Sequence, residues 1–419
     1  MGSNEGVARS HQKAWEAMKV LLVHNRYQQQ GGEDSVVEAE AQILSDHGAQ
    51  VELLKADNDD IRGVLGKIKA SLDVVYSPRG VARIRNSIAK YSPDVVHVHN
   101  WFPTLSPAIF WTCGRNRVPV VHTLHNYRLL CVKASLYRNG KPCEECLGKS
   151  LRLPGIIHGC YRGSRSGSAA ATAAMLFHWR TGTWERSVDR FIALSHFAKN
   201  KLVQGGVPAS KIAIKPNALA TDPGVRNGDG GYFAYVGRLT DEKGIPTLLE
   251  CWRLDSTLPK LRIVGTGPLE GEIRAAAKTR GNIDWLGPRS SAEVLEIMGR
   301  ATAVVCPSAW YEGMPRVVIE SMAVGTPVIA SRLGTYIEMI QDGRSGMLFD
   351  AGNPTSLLSC VKRAGSGGSL SLMRDAARIQ FETHYSATAS FQALLKIYRE
   401  ASLVRKKLAS VYGSRPFAA

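Results

Sequence analysis

The 419-residue sequence has no run of roughly 18 apolar residues, which is the length that a membrane-spanning helix needs. It also lacks the basic-then-apolar start of a signal peptide, so secretion is not expected. We expect a cytoplasmic location, where thiols stay reduced. Acidic side chains are scarce, with 36 Asp and Glu against 53 Lys and Arg. Because 44% of the residues are hydrophobic, the composition excludes a wholly disordered chain and indicates large globular domains.

The basic excess is concentrated in one segment. Residues 101–215 contain 17 Lys or Arg but only 4 Asp or Glu. Such a local excess favours anionic partners, among them nucleic acids, anionic lipid head groups and pyrophosphates. No recognised nucleic-acid-binding motif accompanies it, so nucleic acid is not expected as a partner.

Short apolar runs that suit buried parallel strands alternate with segments of helical apolar spacing. In the first half the predicted strands and helices are Lys19–His24, Glu33–His47, Val51–Leu54, Val81–Tyr91, Asp94–Val98, Val118–Thr123, Ser168–Arg186 and Arg190–Leu194. The alternation restarts at Tyr232–Val236, after a glycine-rich stretch, and continues to Pro327–Ala330. We therefore predict an α/β fold of two doubly wound domains that face each other across a cleft.

The domain boundaries follow from the same pattern. Residues 1–17 are polar and aperiodic and read as a flexible leader. Residues 18–220 form the predicted N-terminal domain, with a cysteine-rich insertion at 128–165. Residues 221–385 form the C-terminal domain, and 386–419 a final helix and tail.

Three motifs stand where a predicted strand ends and a helix begins. Gly31-Gly32 lets a backbone approach a ligand at a helix N-terminus, although a tight turn has the same signature. The segment 237–244 presents Arg238 and Lys243, which suit phosphate, although a solvated charged loop is the alternative. The segment 312–320 places one glutamate in a loop and one on the following helix; these could serve two points of one ligand or only complement the helix dipole and the surface.

Together these motifs resemble the retaining glycosyltransferase family 4, whose fold of two Rossmann-like domains is called GT-B. The resemblance extends from about Met18 to Tyr398 and covers a subgroup with a cysteine-rich insertion in the N-terminal domain. Its most specific parts are Gly237-Arg238 with Lys243-Gly244, the Glu312-x7-Glu320 pair, Gly265-Thr266-Gly267-Pro268, and Asp342-Gly343 with Gly346-Met347-Leu348.

The resemblance implies a role for each matched residue. Arg238 and Lys243 would bind the diphosphate of a nucleotide-sugar, a UDP- or GDP-sugar. Glu312 would contact the transferred sugar, and His125 would lie beside that sugar. Glu320 would contact the ribose. The remaining donor-binding residues would be Gly32, Gly237, Gly265, Gly267, Pro268, Ser308, Gly313, Met314 and Pro315. Asn126 stands where the family has an acid after the histidine.

The chemistry of these residue types agrees with that assignment. A departing nucleotide carries negative charge, which cations and helix N-termini stabilise when they are already in place. These motifs offer cations rather than paired carboxylates, so we expect the diphosphate to be held without a divalent metal. The resemblance also implies that the leaving phosphate takes the proton of the acceptor on the same face of the sugar.

Four of the eight cysteines lie within 30 residues, with the spacing C-x11-C-x2-C-x13-C: Cys131, Cys143, Cys146 and Cys160. Four thiolates around a C-x2-C are typical of structural zinc, which would stiffen a loop that buries little core. Plain thiols, disulfides or an iron–sulfur cluster are the alternatives, and His158 could replace one ligand.

The expected function is transfer of a sugar to a saccharide or polyprenyl-pyrophosphate-linked acceptor in bacterial surface polysaccharide synthesis. Basic and aromatic residues near the insertion suit an anionic acceptor or peripheral contact with the inner face of the cytoplasmic membrane. A nucleotide-sugar epimerase or hydrolase of the same fold is the alternative, and a basic nucleic-acid-binding protein is a weaker one.

Overall fold

The computed structural model describes residues 18–26, 31–56, 73–228, 230–366 and 370–412. The predicted leader at 1–17 lies outside these residues. Among the described residues, no helix combines the length and the apolarity that crossing a bilayer requires.

The first sheet consists of six parallel strands in the order β2-β1-β3-β4-β7-β8. Its strands are β1 (Lys19–Asn25), β2 (Gln50–Ala56), β3 (Val95–Asn100), β4 (Val120–Leu124), β7 (Arg190–Ala193) and β8 (Ile212–Ile214). The helices that the structure describes in this half are α1 (Gly32–Asp46), α2 (Pro78–Tyr91), α3 (Ala108–Arg115), α4 (Leu153–Ile157), α5 (Arg165–Arg180), α6 (Thr183–Arg186) and α7 (His196–Gln204). The central strands β1, β3 and β4 are buried along almost their whole length, as strands covered by helices on both faces must be.

The second sheet is also six-stranded and parallel, in the order β11-β10-β9-β12-β13-β14. Its strands are β9 (Phe233–Val236), β10 (Leu261–Val264), β11 (Ile283–Gly287), β12 (Ala303–Cys306), β13 (Val328–Ser331) and β14 (Gly346–Phe349). Its helices are α8 (Ile245–Leu254), α9 (Glu270–Thr279), α10 (Ser291–Arg300), α11 (Arg316–Ala323), α12 (Tyr336–Met339), α13 (Pro354–Gly365) and α14 (Leu370–His384).

The final helix, α15 (Ala387–Tyr412), crosses back and packs on the first sheet. Its apolar residues join the core that surrounds Val20 and Leu22 of β1. It is further fastened by a buried ion pair, because the Arg405 guanidinium lies 2.7 Å from the Asp189 carboxylate next to β7. The last helix therefore belongs structurally to the N-terminal half.

The cysteine-rich insertion has little regular structure. It contains α4 and a two-stranded antiparallel hairpin, β5 (Tyr137–Arg138) with β6 (Lys141–Pro142). The buried Arg152 side chain donates hydrogen bonds of 3.0 and 2.9 Å to the carbonyls of Leu130 and Leu129, which ties the insertion to the domain. Arg152 thus has a structural task and does not contribute to a basic surface.

Several elements differ from the sequence predictions, among them one helix and two short strands. The single helix predicted at Ser168–Arg186 is broken into α5 and α6, because Gly182 adopts a left-handed conformation with φ of 65°. The short strands β8 and β14 were not predicted, since three or four residues carry too little periodicity to separate a strand from a loop.

Candidate active site

The order of the strands places the site. In each sheet the order in which successive strands are added reverses at one point. This point lies between β1 and β3 in the first sheet and between β9 and β12 in the second. Ligands of doubly wound sheets bind outside the carboxyl ends of the strands at such a point. The loops from these ends line a common cleft of about 690 Å³.

The C-terminal wall of the cleft is centred on an ion pair between the half-buried Lys243 and the buried Glu312. The Lys243 ammonium lies 2.6 Å from Oε1 of Glu312, and Ser308 donates a 2.8 Å hydrogen bond to the same oxygen. Burial by itself would raise the pKa of Glu312, but the Lys243 ammonium and the hydrogen bonds outweigh it and lower the pKa. Glu312 is therefore a carboxylate at neutral pH.

Arg238 differs from Lys243 in its exposure. Its side chain is 63% exposed at the rim of the cleft, where its only ion-pair partner among the described residues is Glu242, at 3.6 Å. An exposed guanidinium held this loosely can turn toward an anionic ligand at little energetic cost.

Glu320 lies on α11, one turn beyond the cleft wall. Its carboxylate is 2.7 Å from the guanidinium Nε of Arg316, which does line the cleft. Burial raises the pKa of Glu320 above its ordinary value, even though Arg316 acts in the opposite direction.

The glycines of the predicted nucleotide pocket support the wall from behind. A β-carbon on Gly265 would lie 2.0 Å from the carbonyl oxygen of Gly237, and one on Gly267 would lie 2.5 Å from the carbonyl of Leu239. The two loops can therefore pack only with glycine at these positions. Neither these residues nor the exposed Pro268 line the cleft itself.

The N-terminal wall is formed by Gly32 and His125. A β-carbon on Gly32 would meet no heavy atom within 4 Å, and its backbone is helical, so the fold does not itself require glycine there. His125 follows β4 and faces the cleft across from Gly313. A β-carbon on Gly313 would come within 2.5 Å of the His125 carbonyl oxygen, so the two walls meet at this point.

Behind His125 lies a buried polar network that the sequence analysis did not identify. The Glu40 carboxylate contacts the Lys215 ammonium at 2.5 Å, His97 Nδ1 at 2.9 Å and His99 Nε2 at 3.2 Å. His99 Nδ1 is in turn 2.9 Å from Nε2 of His125. The one available signal was the alternation of His97 and His99, which places both side chains on the same face of β3.

Basic and aromatic side chains of the insertion form one end of the cleft. The Arg128 guanidinium stacks 3.9 Å from the centre of the Phe102 ring, and its buried Nε has no hydrogen-bond partner among the described residues. Lys133, Tyr161 and Arg162 line the same end. Trp184, by contrast, is buried in the core and takes no part in any surface.

The four clustered cysteines surround one small cavity of about 20 Å³ within the insertion. None of the four forms a disulfide. Burial raises the pKa of Cys146 to about 11, and repulsion from the neighbouring thiols is a smaller contribution in the same direction. Across the described chain, the only three side chains whose ligand atoms all lie within 4.8 Å of one another are Glu40, His97 and His99, so the four sulfurs are spread more widely.

Two family models match the chain in the order of its two sheets. "Glycosyltransferase Family 4" matches residues 31–222, and "Glycosyl transferases group 1" matches residues 221–374. The chain belongs to glycosyltransferase family 4. The junction of the two matches falls between the two sheets of this family 4 chain.

Curated relatives share only part of their sequences with this family 4 chain. The D-inositol 3-phosphate glycosyltransferase of Acidothermus cellulolyticus is 28% identical over 338 residues, which is 76% of this chain and 69% of that protein. An uncharacterised glycosyltransferase of Methanocaldococcus jannaschii is 26% identical over 51% of this chain and 60% of its own length. The amylovoran biosynthesis glycosyltransferase AmsK of Erwinia amylovora is 25% identical over 50% of this chain and 56% of its own length.

Solved structures share the fold. Sucrose-phosphate synthase from Thermosynechococcus elongatus superposes with a TM-score of 0.65 at 18% identity, over 94% of this chain and all of that one. HepE from Anabaena, solved with UDP-glucose, gives 0.61 at 16% identity over 91% of this chain and all of that one. The two parallel sheets on either side of a cleft are thus the GT-B fold.

The structure brings most of the predicted site residues of this family 4 chain to one cleft. The residues that line it are His125, Glu312, Arg238, Lys243, Gly32, Gly313, Met314 and Pro315. Those that lie behind it or beside it are Gly237, Gly265, Gly267, Pro268, Ser308 and Glu320.

Proposed function

We propose that this protein is a retaining glycosyltransferase that moves a hexose from a nucleotide-sugar to a saccharide acceptor. The observation that carries the proposal is the convergence of Lys243, Arg238, Glu312 and His125 on one inter-domain cleft. UDP is the proposed nucleotide, because HepE, a neighbour in fold, was solved with UDP and with UDP-glucose.

The cations on the C-terminal wall are the proposed diphosphate site. Lys243 is half-buried and already held by Glu312, so it can meet a phosphate without first being ordered. Arg238 at the rim would add bidentate hydrogen bonds to a phosphate from the solvent side. Glu312 would hold a hydroxyl of the transferred sugar, and Glu320 the ribose of the nucleotide.

We propose that the leaving phosphate itself accepts the proton of the incoming hydroxyl. The bond from the sugar to the phosphate oxygen breaks, the bond to the acceptor oxygen forms on the same face, and the hydroxyl proton passes to the phosphate. Lys243 and Arg238 stabilise the charge that develops on the diphosphate, so the proposal includes no divalent metal there. The one Asp-x-Asp of the sequence, Asp57-Asn58-Asp59, lies outside the described residues.

The insertion end of the cleft is the proposed acceptor side, and a polyprenyl-pyrophosphate-linked saccharide is the proposed acceptor. Arg128, Lys133 and Arg162 would meet its pyrophosphate. Leu151, Leu153 and Ile157 of the insertion are exposed by 52%, 52% and 60%, and such apolar side chains beside basic ones suit the surface of an anionic membrane. Relatives named for amylovoran biosynthesis and for a cps region support a role in surface polysaccharide synthesis at the cytoplasmic membrane.

A donor screen tests the proposed reaction. UDP-sugars should raise the melting temperature in proportion to the logarithm of ligand concentration, whereas GDP- and ADP-sugars should not. Incubation of the preferred donor with EDTA and lipid-linked saccharides should then give a glycosylated product of retained configuration. Consumption of the donor without any acceptor would favour the epimerase or hydrolase alternative.

We also propose that Cys131, Cys143, Cys146 and Cys160 hold a structural zinc ion. The thiols fit a metal because they surround a single cavity, and a dication would relieve the mutual repulsion that opposes their ionisation. The sulfurs are spread more widely than in a closed tetrahedral site, so side-chain rotation must bring them together. The ion would stiffen an insertion whose only strands have two residues each.

Elemental analysis tests the zinc proposal. The purified protein should contain close to one zinc per chain, and Cys143→Ser should lower this to below about 0.3. Cys360→Ser, a substitution in the C-terminal half, is the matched control and should leave the zinc content unchanged. Less than about 0.3 zinc per chain in the unaltered protein would dismiss the site.

A further inference from the structure

The Glu40 carboxylate is buried where an isolated charge would be strongly unfavourable. Only 3% of this residue is exposed, yet the Lys215 ammonium, which is equally buried, lies 2.5 Å from its Oε2. Nothing in the proposed transfer uses this pair, and a buried ion pair is not by itself a source of stability. Its place, directly behind the histidines of the cleft wall, suggests a functional reason.

His97 and Lys215 make this cluster unsuitable for a metal ion, although Glu40, His97 and His99 are close enough to hold one. The two nitrogens of His97 already contact the hydroxyls of Tyr398, at 2.8 Å, and Thr123, at 2.7 Å. The Lys215 ammonium would repel a dication at close range. The cluster is better described as a chain of polar contacts that leads to His125.

The Glu40 carboxylate determines which nitrogen is protonated in each histidine of this row of polar contacts. Burial holds the pKa of His99 at about 3 and the pKa of His125 well below its ordinary value, so each imidazole is neutral and has one proton. His99 Nε2 has no partner among the described residues other than Glu40 Oε1, at 3.2 Å and poorly aligned. Because a carboxylate only accepts hydrogen bonds, a proton on His99 Nε2 is favoured and a lone pair there is repelled.

The position of the proton on His99 in turn determines the position of the proton on His125. With its proton on Nε2, His99 can only accept at Nδ1, so the hydrogen bond of 2.9 Å is donated by His125 Nε2. We propose that Glu40 and His99 are positioning residues that keep the proton of His125 on Nε2 and leave Nδ1 as a hydrogen-bond acceptor. The further statement that this acceptor receives a hydroxyl of the donor sugar rests on the proposed function.

The substitution Glu40→Gln should reverse the direction of the hydrogen bonds between residue 40, His99 and His125. Its amide oxygen should turn toward the Lys215 ammonium, which leaves the amide N–H group facing His99 Nε2. His99 would then take its proton on Nδ1 and donate it to His125 Nε2, and the proton of His125 would move to Nδ1. The change is small in volume, so it acts on the direction of the hydrogen bonds and not on the packing.

Two-bond 1H–15N correlation spectra of protein labelled with 15N-histidine test the proposal, with His125 assigned through His125→Asn. The expected result is a protonated Nε2 for His125 in the unaltered protein and a protonated Nδ1 in Glu40→Gln. The double substitution Glu40→Leu with Lys215→Met removes both charges and should give a mixture of the two forms, which keeps the test informative if Glu40→Gln does not fold. A proton on Nδ1 of His125 in the unaltered protein, or an unchanged proton position in both variants, overturns the proposal.

Kinetics add a second readout. If His125 accepts from the donor sugar, Glu40→Gln should lower kcat by about 10-fold to 100-fold and change the KM for the donor less than about twofold, because the wrong tautomer affects the reacting complex. Failure of the proposed function would appear as no transfer from any nucleotide-sugar by the unaltered protein. The spectra would still decide the position of the proton in that case.

Discussion

Behind His125 on the N-terminal wall of the cleft, the charges of Glu40 and Lys215 are buried, whereas on the C-terminal wall Lys243 and Arg238 face the cleft. Glu40 and Lys215 neutralise each other in the interior and leave a neutral imidazole facing the cleft. Lys243 and Arg238 lie at the surface of the opposite wall, and one of them is largely exposed. The first wall therefore presents a neutral imidazole to the cleft, and the second presents cations.

This contrast indicates how each half of a GT-B fold can serve a different part of one transfer reaction. Transfer requires that a sugar be held in one orientation and that negative charge be stabilised as the bond breaks. Fixed neutral groups suit the first task, and preorganised cations suit the second. The same division predicts that the two walls respond differently to acid, to removal of a charge and to loosening of their contact.

The largest expected difference is in the response to acid. Burial lowers the pKa of His122 and His178 to about 4 and that of His99 to about 3. Because the folded pKa is depressed, the stability contributed by each neutral histidine is full above the unfolded value of 6.5 and is lost as the pH falls below it. From pH 6.5 to 5.5 the N-terminal half should lose about 3 kcal/mol of unfolding free energy, at about 1 kcal/mol for each of these three histidines, because the unfolded imidazole is already half-protonated at pH 6.5.

Hydrogen exchange at pH 5.5 and 7.0, corrected for the intrinsic rate, measures this difference. Protection of β3 and β4 should fall at the lower pH, while that of β9 and β12 should not, because the Glu312 carboxylate of that wall protonates only below its ordinary pKa of 4.5. His178→Gln removes one titrating group and should reduce the loss between these two pH values by about 1 kcal/mol. Equal loss of protection in both sheets would show that the contrast between the walls is absent.

Removal of the lysine should have the next largest effect. Lys243→Ala takes away a cation of the proposed diphosphate site and leaves the buried Glu312 without its ion-pair partner. We expect the rate of transfer to fall about 100-fold, since one preorganised donor contributes on that order. Glu320→Gln should lower the rate more than about 10-fold, because it weakens the proposed hydrogen bond from the ribose hydroxyl to Glu320.

Lys260→Ala is the matched control for the lysine. Its side chain is 55% exposed and pairs with Asp284 at 3.3 Å on the same sheet, away from the cleft. The control should keep full activity and a melting temperature within a degree or two, because exposed ion pairs contribute little. Near-normal turnover of Lys243→Ala would reject the proposed diphosphate site.

Most of the fold could be predicted from the sequence because buried parallel strands are continuous apolar runs. The predicted strand Ala303–Cys306 has the same bounds in the structure, and Lys19–His24 differs by one residue. The strands β8 and β14, and the break at Gly182, could not be predicted, since they depend on which sheet edge or neighbour a short segment meets.

The C-terminal wall was also more accessible to sequence reasoning than the N-terminal wall. Arg238, Lys243 and Glu312 lie in compact motifs at strand ends, so local spacing brings them together. Glu40, Lys215 and His99 come from a helix, a loop and a strand that are far apart in the sequence. Their contact exists only because α1 packs on the sheet and Lys215 directly follows the strand β8.

The smallest effect is expected where the insertion holds the two walls together. The Tyr311 hydroxyl donates a 2.8 Å hydrogen bond to Glu144 of the insertion, while the Tyr311 ring packs edge-to-face on Phe197 at 4.7 Å. Tyr311→Phe keeps the ring contact and removes only the hydrogen bond, so the unfolding free energy should fall by about 1 kcal/mol, with kcat unchanged. Glu144→Gln should have a larger effect, because it also removes the ion pair with Lys201 at 2.7 Å. If Tyr311→Phe instead raised the KM for the donor more than about fivefold, this contact would set the opening of the cleft and the walls would not act independently.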